Sequence, residues 1–192
     1  KMLAVLELIE PLAGPDFRIW RQTRTGLLSY PLDLAAARAH LAASIYVQMA
    51  LKPHIIHIVG HTEADHAATA GDVIESASMA RRVIENSLRG APDMTADPAI
   101  QQRKAALMEQ ARGLLEAIRM LGRNREVDPL TDPEVLERSV TMGLMDAPQL
   151  KNNPFGRGLV RTRIVDGACE AVDEQNELLT ESSRLAKLLK EL

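Results

Sequence analysis

A single cysteine, Cys169, stands in 192 residues, so no disulfide can form within the chain. That count, with eight methionines and no signal-like opening, leads us to expect a reducing, cytoplasmic setting rather than an oxidising exterior. Aromatic side chains make up only 3 %, which argues against a stacking platform for single-stranded nucleic acid. Positive charge is not in excess either. A net charge of −3 leaves no overall basic field to draw in a nucleic-acid backbone or an anionic membrane surface. The apolar runs are broken by Glu, Arg, Lys or His well short of the roughly 20 residues a spanning helix needs. Also missing are a Gly-x-Gly-x-x-Gly or Walker phosphate loop, a Gly-x-Ser-x-Gly elbow and paired zinc-finger cysteines, so the familiar nucleotide and acyl-transfer sites are excluded.

What remains is a composition of 46 % apolar and 26 % charged residues, enough for a folded core in which alanine and leucine replace the scarce aromatics. Met2 to Ile9 is an apolar run that fits either a buried strand or a helix. Phe17 to Thr25 alternates and reads as a strand with a polar C-terminal end. Asp33 caps a helix running to about Lys52, with Leu34, Leu41, Ile45 and Met49 near one face, and Pro53 ends it. His54 to Gly60 is rich in β-branched residues and reads as a strand. The polar loop His61 to Gly71 leads to a helix capped by Asp72, carrying Val73, Ala77, Ile84 and Leu88 and closed by Gly90. Asp97-Pro98 opens a further helix to Gly122, and Thr131-Asp132-Pro133-Glu134 has the spacing of a capping box for a shorter one. After an irregular stretch from Asp146 to Gly158, Asp166-Gly167 signals a hairpin between Leu159–Val165 and Ala168–Val172, and a short helix follows Thr180.

Strand and helix alternating in the first half predict an α/β fold with a parallel sheet, whose ligands gather at the C-terminal strand ends. A complete (β/α)8 barrel needs about 250 residues, so the expectation is part of a TIM-type barrel over 1–145, with a loop, hairpin and terminal helix over 146–192 as a C-terminal extension.

The densest chemistry lies at the end of the His54–Gly60 run, where His57, His61, Glu63, Asp65 and His66 fall within ten positions. Histidine titrates near neutral pH, and neighbouring carboxylates orient and tune it, so acid/base or hydrogen-bonding work by His61, Glu63 and His66 is the favoured reading. A metal held by His57, His61, Asp65 and His66, as in a barrel hydrolase or lyase, is the alternative; a polar helix-entry loop is the plain one. Arginines form a second group. Guanidinium forks match carboxylates, and Arg24, at the polar end of its strand, is better placed to anchor an acidic substrate than Arg18 or Arg21. A third lies at Asn152 to Gly158 with Arg161 and Arg163 beyond it, which reads either as a flap over an anion or as a structural loop.

The order of these elements resembles the large barrel subunit of cobalamin-dependent glutamate mutase (methylaspartate mutase) over about Phe17 to Asp173. The residues that carry the likeness are His57-Ile58-Val59-Gly60-His61-Thr62-Glu63, Asp146-Ala147-Pro148 and Arg163-Ile164-Val165-Asp166-Gly167-Ala168. The resemblance implies the C-terminal part of an isomerase barrel that covers adenosylcobalamin and supports radical rearrangement of an acidic substrate. His61 and Glu63 take the places of the family's adenosyl-contacting lysine and glutamate; the family's substrate-holding arginines come from earlier barrel strands outside this chain, so Arg24 and Arg163 are candidate substrate anchors on their own residue chemistry. No Asp-x-His-x-x-Gly motif, the mark of the cobalamin-binding module, is present, so the resemblance implies that the corrin comes with a separate cobalamin-binding chain. The remainder of the barrel, or a second copy, is the other expected partner. An assembly or regulatory subunit that kept the fold and lost the site is the non-enzymatic alternative.

Overall fold

The computed structural model describes residues 1–190. The protein is α/β, and it divides into two compact units, Lys1–Ala105 and Ala106–Leu192. This division falls inside a long helix. The irregular stretch after Asp146 is tied back by its own hydrogen bonds and so belongs with what precedes it.

In the first unit α1 (Met2–Ile9) settles the ambiguous apolar run as a helix. Strand β1 (Gln22–Arg24), helix α2 (Leu34–Met49), strand β2 (Ile55–His57) and helix α3 (Ala70–Arg89) then follow in order. The strands pair in parallel, Gln22 with Ile55, Thr23 with Ile56 and Arg24 with His57, so β1-α2-β2 is a crossover unit. Both strands are shorter than their sequence patterns. A ladder lasts only as long as both chains run alongside: Gly14 and Phe17 close a tight turn before β1 through mutual backbone bonds of 3.0 and 3.3 Å. Beyond β2 the chain turns into the core, where Val59 is 2 % exposed and its carbonyl accepts from the Tyr30 hydroxyl at 2.7 Å.

Asp33 caps α2 by accepting from the Ala36 amide at 2.8 Å, as its position foretold. The buried line of α2 is Ala37, Leu41, Ile45 and Gln48, spaced three and four apart; Leu34 stays exposed. On α3 the matching line is Ser76 and Ala80, and Val73 and Leu88, expected in the core, face outward. Small side chains at Ala37, Ser76 and Ala80 let the two helices approach over Leu41 and Ile45. Each of those two large side chains contributes about 1.5–3 kcal/mol by its burial. The cap of α3 is Thr69, with Asp72 answering three residues on to complete a capping box. Asp72 is therefore the third helical residue and not the cap.

Helix α4 (Pro98–Leu121) starts at its proline as expected. In the second unit α5 (Pro133–Thr141) is capped by Asp132, whose carboxylate accepts from the Glu134 amide at 2.9 Å. Thr131 takes no part in that cap. Strands β3 (Arg161–Val165) and β4 (Ala168–Val172) form the antiparallel hairpin. Asp166 and Gly167 both have positive φ, 48° and 78°, as a two-residue turn matching the strand twist requires. Helix α6 (Glu181–Lys190) packs Leu185 with Ala117 and Leu144. Its Arg184 pairs with Glu181 and donates to the carbonyls of Gly143 and Leu144, just past the end of α5, at 2.6 and 2.7 Å. Asp146 pins the following loop: its carboxylate accepts from the amides of Gly158, Leu159 and Val160 at 2.7–3.1 Å. Gly158 sits at φ +59° with backbone of Lys151 so close that a Cβ would overlap it, so no other residue fits. No helix among the described residues is long and apolar enough to cross a membrane.

Candidate functional site at the parallel strand ends

The site is assembled where β2 leaves the sheet. Val59 and Gly60 are buried, and the chain then reverses: the Glu63 amide donates to the Gly60 carbonyl at 3.2 Å, while the Gly60 amide donates to Glu63 Oε1 at 2.5 Å. This reciprocal clasp fixes the Glu63 carboxylate by one oxygen. A Cβ at position 60 would stand 3.0 Å from the same oxygen, so glycine permits the clasp. Glu63 itself is exposed. Two further bonds, from the amides of Asp65 and His66 to the Thr62 carbonyl at 3.0 Å each, continue the turn.

His61 points the other way. It is 2 % exposed, so its ring lies in the interior and not at the surface of the loop. Its Nδ1 lies 2.9 Å from Ser76 Oγ, and its amide donates to the same oxygen at 3.3 Å. On the far side of the ring Nε2 lies 3.5 Å from Glu75 Oε2, an ion-pair distance without the geometry of a hydrogen bond. A carboxylate there favours the proton on Nε2, so in the neutral ring Nδ1 accepts from the Ser76 hydroxyl. Arg38 grips Glu75 with two parallel bonds of 2.6 and 3.1 Å, and holds its carboxyl below the usual range. A chain of contacts thus runs Arg38–Glu75–His61–Ser76 from α2 through the turn to α3. Beside it Thr62 is 3 % exposed, and its hydroxyl has no hydrogen-bond partner among the described residues.

His66 is exposed and forms a separate acidic cluster. Its Nδ1 lies 2.9 Å from Asp65 Oδ2 and its Nε2 3.8 Å from Asp72 Oδ2. The Asp65 hydrogen bond, reinforced by the charge of both carboxylates, raises its pKa against the opposing effect of desolvation. Asp72 is lowered, first by the Thr69 hydroxyl and amide and then by His66.

Arg24 ends β1 directly beside His57 in the parallel register, and both are exposed on the sheet face away from α2, as Gln22 and Ile55 are. Thr23 and Ile56 take the inner side, where Thr23 is buried and Ile56 packs on the core. Arg163 belongs to the second unit, exposed on β3 opposite Glu170. Arg18 and Arg21 lie before β1, and Arg21 is occupied with the Lys52 carbonyl at 2.9 Å. Among the described residues no group of three or more His, Cys, Asp or Glu side chains is disposed to hold a metal ion. His57 on the outer sheet face, His61 on Ser76 and His66 on Asp65 each go their own way.

Sequence reasoning singled out His61, Glu63 and His66 but missed Ser76, Glu75 and Arg38, which fix His61. Ser76 had a local signal: it lies four residues before Ala80, on a line of small side chains. The Arg38–Glu75 pair, 37 positions apart, had none.

The fold therefore defines an α/β protein with a crossover unit whose strand ends carry an anchored, exposed carboxylate and an exposed guanidinium. Comparison of the chain with protein-family models and with curated proteins returns no match.

Proposed function

We propose that the chain is part of the catalytic barrel subunit of an adenosylcobalamin-dependent carbon-skeleton mutase, similar to glutamate mutase and acting on an acidic substrate. The observation that carries this reading is Glu63. Its carboxylate is exposed at the C-terminal end of a parallel strand and is oriented by the Gly60 amide through Oε1, which leaves Oε2 to accept from a hydroxyl such as a ribose. That is the acceptor an adenosyl group calls for, so this position fits the cofactor. His61, buried on Ser76, does not reach a ligand; its part is to hold the turn from which Glu63 projects, as a positioning residue. When bound, adenosylcobalamin supplies the radical. This chain's groups bind and orient: Arg24 meets a substrate carboxylate at the end of β1, and His66, with its raised pKa, is an acid at the loop surface. Arg163, on the second unit, is taken by itself as a candidate anion contact.

The barrel reading draws further support from the sheet. Parallel strands are ordinarily covered on both faces, yet the outer face of β1–β2 leaves Ile55 46 % exposed, with Trp20 64 % exposed just before it. In this account the remaining barrel strands, in another segment or a second copy, cover that face, and a separate cobalamin-binding chain brings the corrin. The setting in this account is cytoplasmic, which suits a chain with one cysteine.

Glu63→Gln tests the role assigned to the strand end. In the assembled enzyme the substitution lowers turnover at least about tenfold, the scale of one charge-assisted hydrogen bond, while Tm barely moves because the residue is exposed. Unchanged turnover per folded molecule removes Glu63 from the site.

A further inference from the structure

The second unit contains a cleft of about 280 Å³ between the β3–β4 hairpin and α6, and its charges do not balance. Of the basic groups lining it, Arg184 is neutralised by Glu181, with bonds of 2.7 and 2.6 Å. Asp146 has its carboxylate occupied by three loop amides; burial acts to raise its pKa, but those amides outweigh burial and keep it charged. Arg157 and Arg161 are different. Arg157 donates to the Met142 carbonyl at 3.1 Å, and Arg161 to the carbonyls of Asp173 and Glu174 at 3.5 and 3.1 Å. Carbonyls orient a guanidinium without cancelling its charge, and in each case the other nitrogens remain to donate. Lys187, exposed on α6, makes no ion pair among the described residues. Three cations thus face two wall carboxylates, Glu174 and the amide-held Asp146, so the cleft keeps a net positive charge in a chain whose overall charge is negative.

The cleft also has an apolar floor in our reading, to which its lining residues Val172, Leu179 and Leu188 contribute. A purely ionic ligand leaves that floor wet, and a purely apolar one leaves the cations unanswered. From this pairing we infer that the cleft binds a small amphiphilic anion, a carboxylate or phosphate ester with a short apolar body. Its headgroup meets Arg157, Arg161 and Lys187, and its body lies on Val172, Leu179 and Leu188. The volume suits a ligand at the small end of the usual range for such sites. The site is built wholly from second-unit residues and stands independently of the mutase reading. It also gives a use to Arg157 and Arg161, whose loop and strand read from sequence either as a flap over an anion or as structure alone.

The test is a titration of the full chain with hexanoate, hexyl phosphate and inorganic phosphate, followed by amide chemical shifts. The expected result is saturable shifts at Arg161, Val172 and Lys187 with at least one of the two hexyl compounds; which binds more tightly identifies the headgroup. Inorganic phosphate is expected to bind at least about tenfold more weakly, and raised salt to weaken all binding. Arg161→Gln with Lys187→Gln should reduce affinity at least about tenfold, the scale of one charge-assisted bond. Lys187→Gln alone, at an exposed helix position that leaves the hairpin untouched, should give a smaller loss in the same direction. Absence of saturation with both hexyl compounds, or undiminished affinity in both variants, overturns the site. Inorganic phosphate binding as tightly as hexyl phosphate overturns the amphiphilic ligand.

Discussion

His61 Nδ1 lies 2.9 Å from Ser76 Oγ with both side chains buried, and this contact joins the strand-end turn to helix α3. Because the Ser76 hydroxyl also accepts the His61 amide, removing either side chain strands a buried polar group. We predict that His61→Ala lowers the stability of the first unit by about 2–3 kcal/mol and Ser76→Ala by about 1–2 kcal/mol. The double variant should lose less than the sum of the two, by about 1 kcal/mol. Trp20, the only tryptophan, lies in that unit, so urea unfolding followed by its fluorescence reads the effect. A His61→Ala protein of unchanged stability contradicts the positioning role.

His66 gives a pH dependence of definite sign. Its pKa is raised in the folded state by the Asp65 hydrogen bond and then by the charges around it. The stability it adds is therefore complete below the unfolded value of about 6.5 and is lost as pH rises through the folded pKa. Imidazole proton shifts should show a midpoint above 6.5, and Asp65→Asn should bring it back down. A midpoint insensitive to that substitution separates His66 from Asp65 in solution.

Asp146 carries the opposite sign. Burial raises its pKa, but the amides of Leu159, Gly158, Val160 and Ala147 more than offset this and hold the carboxyl low. Its contribution is present above about pH 3.9 and disappears as pH falls through the folded value. Asp146→Asn should cost about 2 kcal/mol and speed hydrogen exchange at the amides of Leu159 and Val160. Exchange at the wild-type rate contradicts this.

Arg24 and Arg163 are both exposed, so their replacement leaves the core intact. If each contacts a substrate anion in the assembled enzyme, Arg24→Met and Arg163→Met raise KM by an amount equivalent to about 1.5–3 kcal/mol, with Tm unchanged. Unchanged kinetics in either variant returns that arginine to an ordinary solvated surface residue.

Much of the fold was legible because its signals are local. Asp33, Pro98 and the Asp166-Gly167 turn act within a few residues of themselves, and each stands where the pattern placed it. The strand lengths were not legible, since three-residue ladders are set by where the partner departs and not by the β-branched run His54–Gly60. The same holds for burial on α3. Val73 and Leu88 fit a helical stripe in the sequence, yet the face that packs is the one where Ser76 and Ala80 let α2 come close. At the site, the crowding of His61, Glu63 and His66 was visible as spacing. Which of them faces solvent depended on Ser76 and Glu75, and those contacts exist only once α3 has packed.

The most direct test of the proposed function is the visible absorption spectrum and native mass of the tagged chain purified from cells that make adenosylcobalamin. The account predicts corrinoid bands and a co-purifying cobalamin-binding chain, with the corrinoid reduced when Glu63→Gln replaces the native chain. A chain that emerges without corrinoid from such cells, with a cobalamin-binding chain present in them, contradicts it.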